Sequence, residues 1–531
     1  MENIANPVCR LLCRILAAHG VRDAVVSPGS RNAPLLVAMN RCGYFRLYPV
    51  VDERTAAFVS LGMALRLSRP VALVCTSGSA VLNYAPALAE AYYRNVPIIA
   101  VSADRPSRWI DCLDSQTIRQ EGSLGAVVRC SVDINEAAAY DRRIFELAEI
   151  RINEALSKAV APVPGPVHIN IRLDAPLTAM SDEEPVFNGR VIRALAPVMT
   201  ESDPGLQAVA ESLRRRRVMV LAAGLAPDSG LADALARCGF PVFAEAQSNL
   251  PSAMRIARFD RFLDVLPEDL VPEIVVTIGG ALVSARIKNW LRQLKTLRHI
   301  SVGYADQLPD TFGHLAERVD CPAEVFFSAC AKYDRCREYG VRWRNFYENC
   351  PLPSPNPISK LFESISSHSA GCDIWLSNGS AIRYAQHCRW DDARVDCNRG
   401  VSGIDGCTST AIGSAMVSSA PTILITGDMS AGYDIGVLLN CRIPETFKII
   451  ILDNNGADIF RNISTTGSLD ELDSLFVLPH QLPYSDICRH FGGEYYEAEA
   501  GKDDIPEDFF RTSAKAMLVV RINPEISKNL L

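Results

Sequence analysis

Two short polar segments follow predicted strands in the last third of the 531-residue chain, and their side chains could hold a divalent cation. Asp428 comes at the end of the run TILITGD, and the tetrapeptide DNNG at residues 453–456 follows the run FKIIIL. Because the carboxyl ends of neighbouring parallel strands share one edge of a sheet, a carboxylate and an amide oxygen should meet there. Both are hard donors, which suits Mg²⁺ or Mn²⁺ bridging a diphosphate, with Asn454 or Asn455 as the amide. Two polar residues that only cap loops would give the same pattern.

Another candidate acid, Glu53, lies in the segment VVDERTAAF, between a strand-like run and an apolar helical pattern. An acid in the first turn of a helix is common, because it interacts favourably with the helix dipole. Glu53 belongs to the first third of the chain, whereas Asp428 belongs to the last. The candidate acid and the candidate cation site are therefore far apart in sequence.

Short apolar runs alternate with helical patterns along the whole chain, which predicts an α/β protein with parallel sheets. The predicted strands are 24–27, 71–75, 98–102 and 167–171 in the first third, 218–222, 240–244, 274–278 and 300–302 in the second, and 374–377, 422–426, 447–452 and 517–522 in the last. Polar, proline-containing segments at 179–202 and 351–359 separate these groups. We expect three domains, over residues 1–180, 200–345 and 355–531.

The composition excludes several classes of protein. A formal net charge of -7 gives no basic surface for nucleic acid, and no apolar run approaches the roughly 18 residues needed to span a bilayer. The 17 cysteines are scattered without a C-x-x-C pair, which indicates a reducing compartment rather than a disulfide scaffold. The first residues, MENIANPVCR, lack the pattern of a secretion signal. We therefore expect a cytoplasmic protein without a membrane span.

A series of motifs spans the first and last thirds. They are SPGSRNAPL (27–35), VDER (51–54), TSGSA (76–80), SADRP (102–106), DSQTIRQ (114–120), SNGSAIR (377–383), NRGVSGIDG (398–406) and GDMSAGYD (427–434). Together, and in this order, they resemble the MenD family of thiamine-diphosphate-dependent enzymes, which act in menaquinone biosynthesis. The middle third resembles the family weakly, mainly around residues 279–290.

The resemblance implies three doubly wound parallel-sheet domains of the decarboxylase-like type. The first would bind the pyrimidine of thiamine diphosphate and the third its diphosphate, in a homo-oligomer (dimer or tetramer) whose subunits share the site. Asp428, Asn454 and the carbonyl of Gly456 would hold Mg²⁺ or Mn²⁺, while Glu53 and Gln116 would be catalytic. The implied cofactor-binding residues are Glu53, Ser402, Gly403, Ile404, Gly427, Asp428, Met429, Ser430, Asn454, Asn455, Ile459 and Phe460.

The family reaction, carried over by resemblance, is a transfer: 2-oxoglutarate loses CO₂ and the remaining fragment adds to isochorismate. Both substrates carry carboxylates, which guanidinium groups bind in a two-point fork. The implied substrate-binding residues are Ser30, Arg31, Arg105, Asn378, Arg383, Arg399 and, from the middle domain, Arg286. Taken singly, each arginine would by default lie on the surface or cap a helix.

Three alternatives compete with this interpretation. Another thiamine-diphosphate lyase or synthase, acting for instance on pyruvate, would not need Arg31 or the segment RGVSGID that begins at Arg399. A catalytically silent scaffold with the same fold would be expected to lose Glu53 or Asp428, and both are present. A dinucleotide-binding protein would show G-x-G-x-x-G after a strand, which the sequence lacks.

The sequence also departs from the family pattern beside the cation segment. Ala457 follows Gly456 where members usually have a second glycine, and Asp453 stands where many have asparagine. Neither change removes a donor from the implied ligand set. Both changes could alter the preference between metals.

Overall fold

The computed structural model describes residues 3–182, 189–193, 197–334, 336–351, 354–463 and 465–523. These residues form three six-stranded parallel sheets flanked by helices, which confirms the predicted α/β fold with three parallel-sheet domains. The chain divides into two compact units, the first comprising Met1–Ala196, Gly400–Ser419 and Tyr433–Pro444, and the second the remainder. The predicted domain limits 1–180, 200–345 and 355–531 stay predictions.

The first unit contains one parallel sheet. Its strands and a small antiparallel pair are β1 (Asn3–Ile4), β2 (Asp23–Val26), β3 (Arg46–Pro49), β4 (Val71–Cys75), β5 (Ile98–Asp104), β6 (Cys130–Ile134), β7 (Val167–Arg172) and β8 (Met180–Ser181). The strand order is β3-β2-β4-β5-β7-β6, and β1 pairs with β8. The helices are α1 (Pro7–Ala18), α2 (Ala33–Arg41), α3 (Glu53–Leu67), α4 (Ala85–Tyr93) and α5 (Arg142–Val160).

The second unit contains the other two sheets. The first of them has β9 (Val218–Ala223), β10 (Val242–Ala244), β11 (Arg255–Ile256), β12 (Ile274–Gly279), β13 (Arg298–Val302) and β14 (Leu315–Val319), in the order β11-β10-β9-β12-β13-β14. Its helices are α6 (Pro204–Ser212), α7 (Ser229–Cys238), α8 (Ala285–Gln293), α9 (Ala323–Cys330) and α10 (Arg337–Asn349). Apolar side chains cover both faces of this sheet, as parallel strands require.

The last sheet has β15 (Asp373–Leu376), β16 (Arg394–Cys397), β17 (Thr422–Gly427), β18 (Phe447–Asp453), β19 (Glu494–Glu499) and β20 (Ala516–Arg521), in the order β16-β15-β17-β18-β20-β19. The remaining helices are α11 (Pro357–Ser367), α12 (Ser380–Ala385), α13 (Cys407–Val417), α14 (Asp428–Tyr433), α15 (Gly436–Asn440), α16 (Tyr484–Phe491) and α17 (Glu507–Arg511). The strand order reverses between β15 and β17, and ligands of doubly wound sheets bind outside the strand ends at such a point.

Within the first unit, α3 packs against α13 at backbone distance. A side chain at Gly62 would lie 1.8 Å from the carbonyl oxygen of Thr410, and one at Gly413 would lie 2.1 Å from that of Val59. Only glycine allows this approach. Residues 55–64 of α3 are all buried, and Glu53 is the first residue of this helix.

None of the described helices combines the length and the apolar composition that crossing a membrane requires.

Candidate active site

Asp428 is the most deeply buried acid at the edge of the last sheet, where it follows β17 and begins α14. It is 2% exposed. Its Oδ2 accepts a hydrogen bond from the amide of Gly456 at 2.7 Å, and its Oδ1 accepts one from Met429 at 2.7 Å. Burial, together with the nearby charge of Asp453, raises the pKa of Asp428 to about 6 despite these two amides. A bound cation would offset the cost of this buried charge.

The two asparagines after β18 differ in their surroundings. Asn455 is exposed at a φ of 62°, and its Oδ1 accepts a hydrogen bond from the amide of His480 at 3.2 Å. Asn454 is half-buried, and its side chain has no hydrogen-bond partner in the part of the chain that the structure describes. The Asn454 amide is therefore the one left available to a ligand.

Gly456 needs its lack of a side chain. Its φ is 130°, and a Cβ would lie 2.4 Å from the carbonyl oxygen of Val477. The Gly456 carbonyl accepts one hydrogen bond, from the amide of Asp458 at 2.9 Å, and keeps a second lone pair. Beside Gly427 no atom lies within 4 Å of where a Cβ would stand. A carboxylate, an amide oxygen and a carbonyl next to open space fit a divalent cation with a diphosphate.

Met429 and Ser430 follow Asp428 in α14, the first half-buried and the second buried. The Met429 amide is committed to the Asp428 carboxylate. The amide of Gly427 donates to the hydroxyl of Ser377 at 3.2 Å, which links the ends of β17 and β15. The four predicted residues 427–430 thus form one continuous segment that contains the buried acid Asp428.

A cavity of about 360 Å³ lies in the same unit. Three of the predicted residues line it: Arg286, Arg383 and Ile459. Phe460 does not line it, and instead packs edge-on against Phe476 with 5.7 Å between ring centroids. The cavity therefore combines the guanidinium groups of four arginines (Arg258, Arg261, Arg286 and Arg383) and the acids Glu245 and Asp260 with an apolar wall, a composition suited to a polar organic ligand.

Arg383 and Arg399 are two cations that form no ion pair among the described residues, although the charge of Arg399 opposes the rise that burial causes in the pKa of Glu245. Arg383 donates to the carbonyl of Gly379 at 2.6 Å, and burial followed by the charge of Arg399 lowers its pKa. Arg399 donates to Asn378 Oδ1 at 3.3 Å and to the carbonyl of Leu282 at 3.1 Å. Two half-buried like charges whose hydrogen bonds go to neutral groups make a candidate anion site.

Arg286 differs from Arg383 and Arg399 because it pairs with a carboxylate. It is exposed on α8 and forms an ion pair with Asp264. The start of α8 is fixed by Ser284, whose hydroxyl accepts from the amide of Ile287 at 3.2 Å. Glu245, 2% exposed, accepts from the amides of Val283 and Ser284. A buried carboxylate thus anchors the loop that presents Arg286 to the cavity.

In the first unit, the predicted Glu53 is half-buried at the start of α3, and Asp52 caps that helix by accepting from Thr55 at 3.0 Å. Burial raises the pKa of the neighbouring Cys75 thiol to about 12, and the charge of Glu53 adds to that rise. The Glu53 carboxylate has no hydrogen-bond or ion-pair partner within the described ranges. It is available to a ligand.

The predicted arginines of the first unit lie near each other. Arg31 donates to the carbonyl of Leu173 at 2.8 Å, and its pKa is lowered by burial and then by the charge of Arg105. Arg105 donates to the carbonyl of Ser115 at 2.9 Å. Ser30 precedes Arg31 and is exposed. Ser30, Arg31 and Arg105 form a second anion-binding candidate.

Gln116 adopts a φ of 57°, which is uncommon for a residue with a side chain. Its Nε2 donates to the carbonyl of Ser77 at 3.1 Å. Gln120 supports the same loop from below, because its Oε1 accepts from the amide of Gly78 at 2.8 Å and its Nε2 donates to Asn170 at 2.9 Å. The strained Gln116 is therefore held by a buried polar network.

The same polar network supplies the hydrogen-bond partners of His168. Its Nε2 lies 2.8 Å from the hydroxyl of Ser102, which in turn donates to Asn170 at 2.7 Å. Burial lowers the pKa of His168 to about 4. The histidine is a neutral structural residue rather than a base.

The predicted segment Ser402, Gly403 and Ile404 belongs to the first unit. Glu90 of α4, 1% exposed, accepts the amides of Gly400 and Val401 at 2.7 Å each. These bonds anchor the two residues that directly precede the segment. Ile404 is an exposed apolar residue, so its side chain is accessible to a ligand.

Comparison with known proteins decides the family. Residues 7–124 match the model of the thiamine pyrophosphate enzyme, N-terminal TPP binding domain. Curated relatives named 2-succinyl-5-enolpyruvyl-6-hydroxy-3-cyclohexene-1-carboxylate synthase, the MenD enzyme, align over nearly their whole length. The relative from Porphyromonas gingivalis is 35% identical over 96% of this chain and 93% of its own. Those from Cytophaga hutchinsonii and Desulfotalea psychrophila are each 34% identical, over 94% and 93% of this chain and 93% and 94% of their own. The chain belongs to the MenD family.

The MenD membership confirms the resemblance inferred from the motifs. The matched range 7–124 contains five of the predicted site residues, namely Ser30, Arg31, Glu53, Arg105 and Gln116. Their individual roles stay predictions, as do those of the predicted residues in the second unit.

The sequence analysis did not single out several polar residues that the structure places near the proposed site of this MenD chain. Lys288 of α8 donates to the carbonyl of Leu282 at 3.3 Å, and its pKa is lowered by burial and then by the charge of Arg399. His480 approaches Asp428 to 3.2 Å. The cavity wall also includes the polar residues Arg258, Asp260, Arg261, His387 and Asn462. Lys288 lies two residues after Arg286, a spacing that does not share a helix face, so no pattern in the sequence marks either Lys288 or His480.

Proposed function

We propose that this MenD-family protein is a 2-succinyl-5-enolpyruvyl-6-hydroxy-3-cyclohexene-1-carboxylate synthase of menaquinone biosynthesis. It is a thiamine-diphosphate-dependent enzyme of the transferase type. It decarboxylates 2-oxoglutarate and adds the resulting four-carbon fragment to isochorismate. The observation that carries this proposal is the pair Arg383 and Arg399, two half-buried cations that form no ion pair among the described residues, in the same unit as the buried acid Asp428.

Asp428, the Asn454 amide oxygen and the Gly456 carbonyl would hold Mg²⁺ or Mn²⁺, and the cation would hold the diphosphate. When bound, thiamine diphosphate supplies the electron sink that lets a 2-oxo acid lose CO₂. The chain's own contribution is to fix the cofactor at its diphosphate end. The open space beside Gly427 leaves room for the phosphate oxygens.

The arginines bind and orient the two substrates. Arg383 and Arg399 can each form two parallel hydrogen bonds to a carboxylate, which fixes the orientation of a substrate as well as its position. Asn378, which accepts from Arg399, sets the direction of that guanidinium. Arg31 and Arg105, with Ser30 and Gln116, offer a second set of donors, and Arg286 adds a more exposed one.

Glu53 is the proposed acid–base group. Its carboxylate has no described protein partner to compete with a cofactor, and it would bind and exchange a proton with the pyrimidine ring. The protein would act in the cytoplasm as a homo-oligomer, either a dimer or a tetramer. The free cysteines are consistent with a reducing compartment.

The direct test of the function uses purified protein with Mg²⁺ and 2-oxoglutarate. We expect the absorbance of isochorismate to fall only when thiamine diphosphate is added. Pyruvate in place of 2-oxoglutarate is the control, and it should not support the reaction. Release of CO₂ from pyruvate without consumption of isochorismate would instead identify another thiamine-diphosphate lyase.

The two asparagines give a separate prediction. Asn454→Ala removes the available amide oxygen, so we expect Mg²⁺-dependent affinity for thiamine diphosphate to fall about 10- to 100-fold. Asn455→Gly is the comparison variant: glycine keeps the positive φ of position 455, and the substitution removes an exposed side chain whose Oδ1 accepts from the amide of His480. Titration calorimetry of both variants measures the difference. A larger loss in Asn455→Gly than in Asn454→Ala would contradict the assignment of the amide ligand to position 454.

A further inference from the structure

His480 lies beside the buried acid of the proposed cofactor site. Its Nε2 is 3.2 Å from Asp428 Oδ2, and its side chain is 20% exposed. Both of its ring nitrogens are buried, and neither makes a hydrogen bond within the described residues. The ring nitrogen and the carboxylate oxygen are therefore adjacent without being directed at each other.

A third donor, Asp453, lies near Asp428 and His480 but already has partners of its own. Asp428, Asp453 and His480 each offer one donor atom, and these atoms all lie within 4.8 Å of one another. Asp453 forms an ion pair with Arg521, and its Oδ1 accepts from the amide of Asn455 at 2.9 Å. Asp428 and His480 remain as the donors that can turn toward a common ligand.

The spacing of these two donors suits one cation. Two ligands in neighbouring octahedral positions, each about 2.1 Å from the metal, lie about 3 Å apart. The 3.2 Å between Asp428 Oδ2 and His480 Nε2 matches such an edge. The backbone of His480 also supports this placement, because its amide donates to Asn455 Oδ1.

We propose that His480 Nε2 is a direct ligand of the divalent cation held by Asp428, Asn454 and Gly456. The inference rests on the proposed cofactor site and adds a nitrogen to its oxygen donors. Neutral imidazole favours first-row transition metals, whereas an all-oxygen set suits Mg²⁺. His480 therefore makes the site prefer Mn²⁺ and Co²⁺ over Mg²⁺ more strongly than oxygen ligands alone would.

The test uses the full-length protein with thiamine diphosphate and Mn²⁺, examined by electron spin-echo envelope modulation. We expect modulation from a coordinated imidazole ¹⁴N in the unmodified protein and none in His480→Gln. Affinity for Mn²⁺ should fall about 10-fold or more in His480→Gln, while affinity for Mg²⁺ falls less. His490→Gln, which changes an exposed histidine of α16, is the control and should keep the ¹⁴N signal.

Other outcomes separate this inference from the proposed function. Mn²⁺ that binds in an Asp428-dependent manner without imidazole modulation would overturn the ligand role of His480 and leave the cation site in place. The same imidazole signal in His480→Gln would overturn it as well. If Mn²⁺ binding survives Asp428→Ala, the cation lies elsewhere, and the proposed cofactor site fails together with the inference.

Discussion

Replacing Glu53 with glutamine is expected to lower kcat for isochorismate consumption by about 10²- to 10⁴-fold, the usual contribution of a general acid–base group. Glutamine keeps the size and hydrogen-bonding reach of the side chain but cannot exchange a proton. The helix should not be disturbed, because Asp52 rather than Glu53 caps α3. The loss should therefore fall on the chemical step and not on folding.

The measurement compares Glu53→Gln with Glu146→Gln, which changes an exposed glutamate of α5 paired with Arg142. Both variants should unfold at the temperature of the unmodified protein and bind Mg²⁺ with thiamine diphosphate. Only Glu53→Gln should lose turnover. A Glu53→Gln variant that keeps more than about a tenth of kcat would show that another group moves the proton.

The fold could be predicted where strands are buried on both faces. In each of the three sheets the four inner strands were predicted, and both edge strands were missed. Inner strands such as β17 and β18 are continuous apolar runs. Edge strands such as β14 (LAERV) and β19 (EYYEAE) face solvent and carry charged residues, so their sequences resemble loops.

The proposed site could be predicted where its residues end a strand. Asp428 and Asn454 follow β17 and β18 directly, so the topology of a parallel sheet brings them to one edge. His480 reaches the same edge from a segment that follows the turn Leu472–Val477, and its position depends on a hydrogen bond to Asn455. Tertiary contacts of this kind leave no periodic signal in the sequence.

The placement of residues 400–419 was also beyond sequence reasoning. This segment joins the first unit through the packing of α13 on α3. The contact depends on Gly62 and Gly413. A Cβ at either position would lie closer to an opposing backbone carbonyl than van der Waals contact allows. Glycines in a helical pattern indicate a close approach but do not identify its partner.

Removing the buried acid at position 428 should abolish stabilisation by the cofactor. A ligand at about 100 times its Kd stabilises the native state by about 2.7 kcal/mol, because it binds only that state. Asp428 is the one charged member of the proposed ligand set, so Asp428→Ala should eliminate binding of the cation and, with it, of the diphosphate. Thiamine diphosphate and Mg²⁺ should then leave the unfolding temperature of the variant unchanged.

Differential scanning fluorimetry with and without thiamine diphosphate and Mg²⁺ measures this difference. Asp486→Ala, which changes an exposed acid of α16, is the control and should show the full ligand-induced rise. The cofactor-free Asp428→Ala protein should remain folded, because the substitution removes a carboxylate whose burial is itself unfavourable, as its raised pKa of about 6 indicates. The substitution also leaves the amides of Met429 and Gly456 without their acceptor, which limits any gain in the stability of the folded protein. A rise in unfolding temperature equal to that of the control would mean that the cation does not depend on Asp428.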